Sequence, residues 1–170
     1  APADVTYNIG ALWQPLDATG QAFFNGTFSY SVPAGHYEIT SLIATFDSAG
    51  AVSWTFMNAP EVTVRSNSTV VVLDARRATR VGVTVPDPTS PVVANMTIQR
   101  DPATGPSFST TFTTFGPDPL YTTSTGPVAV GQQYFYPSYR LGDATGSIDR
   151  YLYDLQFDYV GAIPNDLSPT

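Results

Sequence analysis

Apolar and polar residues alternate along most of this chain with a period of two, and turn residues break the alternation at short intervals. That is the pattern of half-buried β-strands. Val5, Tyr7, Ile9, Ala11 and Trp13 give a first strand one apolar face. Asp17-Ala18-Thr19-Gly20 reads as a turn. Phe24, Phe28, Tyr30 and Val32 share a face of a second strand, and Gly26 in the same row marks a bulge or close approach. Pro33 sets φ for a tight turn and Gly35 closes it, so Tyr37 and Ile39 open a return strand running towards Phe46. Asp47-Ser48-Ala49-Gly50 is the next hairpin turn. Val52, Trp54 and Phe56 alternate after it, and Pro60 is expected to interrupt before Val62 and Val64. Val70-Val71-Val72-Leu73 is continuous, which predicts a strand buried on both faces. Val81, Val83 and Val85 complete about seven strands, enough for a small sandwich.

Pro86-Asp87-Pro88-Thr89-Ser90-Pro91 is the strongest boundary signal, because such a run does not suit a central strand. It divides the chain into a β-sandwich module, 1–88, and a second β-rich stretch, 89–170. Beyond it Val92, Ala94, Met96 and Ile98 alternate. Phe108 to Phe115 is read as strand, since β-branched Thr dominates and no helix cap is present. Tyr134 to Tyr139 is another strand. Tyr151, Tyr153, Leu155, Phe157 and Tyr159 form the cleanest alternation of all. No helix longer than two turns is expected, and Arg76-Arg77-Ala78 has room for one turn before Val81. The second stretch holds few strands for a closed domain, so it either pairs with the first sheet or is incomplete by itself. The fold class is therefore all-β, an antiparallel β-sandwich, either single or as two packed β-modules.

Composition narrows the function classes. The chain has 170 residues, a net charge of -7 and 7 basic residues, every one Arg. Without a basic patch to neutralise phosphates, nucleic acid is not an expected partner. There is no Cys, which removes disulfides, thiolate zinc sites and a cysteine nucleophile. No apolar run approaches the roughly 20 residues of a membrane-spanning helix, so no membrane partner is expected. Low charge, abundant Thr and Ser and many turns point to a secreted, extracellular module.

Candidate chemistry is sparse. His36, the only histidine, would have to serve any Ser-His-Asp triad, yet no nucleophile elbow is present, and one His cannot supply a zinc site. An exposed hairpin histidine is the plainer reading. Asp154 and Asp158 share a face of the last strand about 13 Å apart, too far for most glycosidase pairs. Asp143 and Asp149 bracket a polar loop that offers a calcium site through side-chain and carbonyl oxygens, although its spacing is not that of an EF-hand. Otherwise no cofactor is expected. Trp13 and Trp54 fall on apolar strand faces and read as core. Tyr134, Tyr136, Tyr139 and Tyr151 are too many for one small core face. They make a candidate ligand surface for polysaccharide or protein substrate, or an interface with a neighbouring domain. Asn25-Gly26-Thr27, Asn67-Ser68-Thr69 and Asn95-Met96-Thr97 match the N-glycosylation acceptor pattern.

FSYSVPAGHYEITS (28–41) and VVVLDARRATRVGVTV (70–85) resemble accessory regions of large secreted subtilisin-like serine proteases of actinobacteria. The matching positions are Pro33, Gly35 and Tyr37, then Leu73, Asp74, Ala75, Arg76, Ala78, Val81 and Val83. Tyr151 to Leu155 and Gly161 to Pro164 are similar to a segment of the same region. The Pro-x-Gly-x-Tyr hairpin by itself is also similar to prealbumin-like and carboxypeptidase-regulatory-like modules, so the sandwich is expected to be prealbumin-like or immunoglobulin-like. The resemblance implies a non-catalytic module beside other domains of its parent protein. The protease's catalytic motifs have no counterparts here, and no functional residue carries over.

Overall fold

The computed structural model describes residues 5–9, 34–47, 49–65, 67–103, 106–145 and 150–169. Among these residues ten strands follow one another: β1 (Val5–Ile9), β2 (Gly35–Phe46), β3 (Val52–Val64), β4 (Thr79–Val81), β5 (Thr89–Asp101), β6 (Phe108–Phe115), β7 (Leu120–Thr122), β8 (Gln132–Asp143), β9 (Leu152–Gln156) and β10 (Tyr159–Val160). They form two sheets. The first has the order β1-β2-β3-β7-β4. The second runs β10-β8-β5-β6, with β9 also paired to β8. The fold is an all-β sandwich, as the alternation predicts. Most pairings are antiparallel, but β1 runs parallel to β2 and β7 parallel to β3, so the first sheet is mixed.

The core lies between the sheets. Phe56, Val81 and Leu120 come from the first sheet, and Ala94, Met96, Ile98, Phe135, Tyr139 and Leu141 from the second. Ile163 and Leu167 enter the same cluster from the C-terminal segment. That segment is tied down by backbone bonds from Gly82 N–H to Leu167 O and Thr84 N–H to Pro169 O, both 3.0 Å. β7, from beyond the proline-rich boundary, lies between β3 and β4, which precede it. The second stretch therefore pairs with the first sheet and shares its core.

Prolines fall where their missing N–H is tolerated rather than where strands stop. Contrary to expectation, β3 runs straight through Pro60. The register slips there, so that Pro60 and Glu61 together oppose Glu38, a β-bulge. Pro91 likewise lies inside β5 next to a slip against β8, past the reach of β6. The alternation from Tyr151 to Tyr159 is one register but two strands. Phe157 N–H reaches Pro137 O at 3.0 Å, and Pro137 has no N–H to return the bond.

Two other expectations are corrected. Val70–Leu73 is not a buried strand: Val70 is 85 % and Val72 79 % exposed. Four β-branched or apolar residues in a row satisfy strand propensity, but periodicity does not say whether anything covers them. The last strand of the first half is only Thr79–Val81; Val83 and Val85 pack on the core from irregular backbone. The single helical turn expected near Arg76 is present as a 3-10 turn, Ala75–Arg77. Asp74 caps it, accepting Arg76 N–H at 3.1 Å and pairing with the Arg76 guanidinium at 2.8 and 2.7 Å. The Asp-Ala-Arg signature is thus a self-contained capped turn. The strand expected over Phe24–Val32, the Pro33 turn position and Trp13 lie outside the described residues.

Candidate functional site

Alternation along β8 sends odd and even residues to opposite faces. Gln133, Phe135, Pro137, Tyr139 and Leu141 are buried and face the first sheet. Tyr134, Tyr136, Ser138 and Arg140 face outward. The register places Gln99, Thr97, Asn95 and Val93 of β5 beside them, with Ser109, Thr111, Thr113 and Phe115 of β6 one strand further. The outer face of the second sheet is therefore largely a grid of hydroxyls and amides, with the rings of Tyr134 and Tyr136 in it and the exposed Phe115 at its β6 edge.

The grid is internally bonded. Thr97 Oγ1 and Thr111 Oγ1 are 2.8 Å apart. Thr113 Oγ1 donates to Asn95 Oδ1 at 2.6 Å, and Asn95 Nδ2 donates to Ser138 Oγ at 3.1 Å. Asn95, one of the glycosylation triplets, is thus engaged within a central strand. Tyr134 and Tyr136 stand beside this ladder with ring planes within 10° and centroids 5.9 Å apart. The Tyr136 hydroxyl is pushed up, first by desolvation and then by Tyr134 and the carboxylates Asp158 and Asp101. Hydrogen bonds from Ser107 and Gln99, with a weaker one from Tyr134, hold Asp101 below the usual carboxylate range against a small desolvation effect. Beyond the tyrosines, a shallow groove between β5, β8 and β9 is bordered by Asn95, Ser138, Arg140, Asp154 and Gln156.

The four tyrosines singled out from the sequence do not form one surface. Tyr139 belongs to the opposite face, is 6 % exposed, and meets Phe157 edge-on at 6.4 Å. Burial drives its hydroxyl upward. Tyr151 lies in another group, edge-on to Tyr153 at 5.9 Å, with its hydroxyl donating to Pro88 O while that of Tyr153 donates to Asp87. Residue parity separates Tyr134 and Tyr136 from Tyr139 and was readable in the sequence. The amide and hydroxyl partners from β5 and β6 needed the register.

The remaining candidates have local explanations. His36 is exposed and pairs with Thr63 Oγ1 at 3.3 Å across the β2–β3 hairpin. Asp154 is bound to Arg140 at 3.0 and 2.7 Å, and Asp158 accepts from Gln156 at 3.0 Å, so the two carboxylates do not converge. Asp143 accepts both the N–H and the hydroxyl of Thr145, at 2.7 and 2.6 Å. Asp149 lies outside the described residues. Among the described residues no group of three potential metal ligands gathers. Trp54 packs on the core as expected, its ring 5.3 Å from Phe112 and its Nε1 donating to Asp118 Oδ2 at 3.2 Å. No protein-family model, curated protein or solved structure matches the chain.

Proposed function

We propose that this chain is a non-catalytic β-sandwich module of a secreted multidomain protein, and that it works by adhesion. The outer face of the second sheet is the contact surface and a polysaccharide its ligand. The observation that carries the reading is the near-parallel Tyr134–Tyr136 pair beside a ladder of Asn, Gln, Ser and Thr side chains. Sugars present apolar C–H faces suited to aromatic rings and hydroxyls suited to amide and hydroxyl partners. The face is broad and open, which fits a chain polymer better than a small molecule enclosed in a pocket.

The parent is proposed to be a subtilisin-like protease, on the strength of the Pro33-Ala34-Gly35 and Asp74-Ala75-Arg76 signatures. In that setting the module positions the enzyme on its substrate or on a surface. A protease domain encoded in the same reading frame would support this part; a different neighbour would overturn it.

The ligand is tested by pull-down on insoluble polysaccharides, followed by titration with the soluble oligosaccharide of whichever binds. Tyr134→Ala and Tyr136→Ala are expected to weaken binding at least about tenfold, on the order of 1.4 kcal/mol. Arg77→Ala, on the distant 3-10 turn, is the control. No binding of the wild-type protein at millimolar ligand would sink the polysaccharide reading.

A further inference from the structure

Glu38, on the inner side of β2, is 3 % exposed, and neither carboxylate oxygen has a hydrogen-bond partner of normal geometry. Arg100, reaching in from β5 of the other sheet, is also 3 % exposed. Its Nη2 donates to Glu61 Oε1 at 2.7 Å and to the Val130 carbonyl at 2.5 Å, while Nη1 has no partner. Glu61 is placed by the Pro60 bulge, and its Oε1 also accepts the N–H groups of Ala129 at 3.0 Å and Val130 at 3.3 Å. One guanidinium thus faces two carboxylates. With both ionised, the exposed Glu61 holds the guanidinium while Glu38 stays buried as a carboxylate with no hydrogen bond of its own, an arrangement that is costly away from water. A small void bordered by His36, Pro60 and Phe108 lies among these groups, with room for about one water molecule.

We propose that Glu38, Arg100 and Glu61 form a pH-responsive latch at this end of the sandwich. With Glu38 protonated, Arg100 and Glu61 are a balanced pair that clamps the Ala129–Val130 loop. Ionised Glu38 competes for the same guanidinium and loosens the clamp. The clamped loop leads through Gly131 into β8, the strand that carries Tyr134 and Tyr136, so the latch sits at the root of the proposed contact face. It does not depend on that face binding anything.

The direction of the effect follows from the environment. Burial pushes the Glu38 carboxyl up from its ordinary 4.5 to about 6, against Arg100 and Asn58 and with some help from Glu61. Glu61 is also raised by burial, but the hydrogen bond from Arg100, those from Val130 and Ala129 and the Arg100 charge bring it below its ordinary value. The other ionisable side chains at the void are Tyr37, which is buried, and His36, which is exposed and held by Thr63. For Glu38 the folded state binds the proton more tightly than the unfolded chain. Its stabilising contribution is complete below about pH 4.5 and is lost as the pH rises through about 6. The difference between 4.5 and about 6 corresponds to about thirty-fold in the folding equilibrium.

Urea unfolding of the whole chain from pH 4.5 to 7.5 tests this. Wild type is expected to lose about fifteen-fold more in folding equilibrium over that range than Glu38→Gln, because at pH 4.5 the unfolded carboxyl is already half ionised. His36→Gln should follow wild type. Should Glu38→Gln fail to fold, the ¹³C carboxyl shift of Glu38 in wild type carries the test, with an expected midpoint near 6. Exchange protection of the Ala129 and Val130 amides, corrected for intrinsic rate, is expected to fall in wild type across the same window. Parallel profiles for wild type and Glu38→Gln, a Glu38 midpoint at or below 4.5, or pH-independent protection at Ala129 and Val130 would each overturn the latch.

Discussion

Gly131 has φ of +69°, and a Cβ built there would fall 2.0 Å from the carbonyl oxygen of Asp101. Both facts require glycine: the conformation is left-handed, and the neighbour is backbone that cannot swing aside. Gly131→Ala is expected to cost about 2 kcal/mol or more, read as a lower urea midpoint at unchanged slope. Gly50, by contrast, has φ of +84° with open space around it, so only the conformational part of the cost applies there. Nothing in Gly131-Gln132-Gln133 announces the difference. The close approach exists only because β5 ends opposite the start of β8, Asp101 against Gln132. Glu38, Glu61 and Arg100 show the same limit. Each sits in a strand-like stretch, and their meeting is produced by a bulge and by the packing of two sheets. The parity of Tyr134, Tyr136 and Tyr139 lay open in the sequence, because alternation within one strand is a local property.

At the scale of elements, the turns that carry their own chemistry were legible. Asp47 Oδ1 accepts the N–H of Ala49 at 2.8 Å and of Ala51 at 2.9 Å, and Gly50 N–H returns to Asp47 O at 3.0 Å. The hairpin between β2 and β3 is built from one residue's side chain and backbone, as an Asp followed shortly by Gly announces. Asp47→Ala leaves two turn amides to water and is expected to lower stability by about 1 kcal/mol. The measurement is urea unfolding at neutral pH, and an unchanged midpoint would mean that water replaces the carboxylate at no cost. Strand limits were less legible, because they depend on the partner. Pro60 and Pro91 read as stops and turned out to sit at bulges, where the partner strand tolerates an extra residue. Pro137 read as an ordinary strand position, yet it splits the β9–β10 edge in two. Val70–Leu73 read as a strand buried on both faces, and its two exposed valines show that burial belongs to the neighbours rather than to the run itself.

For the molecule as a whole, the break in composition at Pro86–Pro91 and the path of hydrogen bonds disagree. β7 supplies the only link between β3 and β4 among the described strands of the first sheet. Thr122 fixes that link, its Oγ1 donating to Phe56 O at 2.6 Å in the buried interior. A polar chain crosses between the sheets as well: Asn58 Nδ2 donates to Gln133 Oε1 at 3.3 Å, and Gln133 Nε2 donates to Thr125 Oγ1 at 3.1 Å. Thr125 also holds the C-terminal segment, accepting Ile163 N–H at 3.0 Å and donating its own N–H to Ile163 O at 3.0 Å. Residues 1–88 alone would lack β7, so β4 would lose its partner, and Phe56 and Val81 would lose the opposite wall of the core. Residues 89–170 alone would keep the second sheet with Met96, Ile98, Phe135 and Leu141 uncovered. A sheet with one bare apolar face does not meet the burial that independent stability requires. Expressed separately, neither half is therefore expected to unfold cooperatively, whereas the whole chain should do so with coincident fluorescence and far-ultraviolet dichroism transitions. A sigmoidal, probe-independent transition in either half would show that the halves fold as separate modules and that the contacts across Asn58, Gln133 and Thr125 join two finished domains. Its absence would make the proline-rich segment a connection inside one cooperative unit.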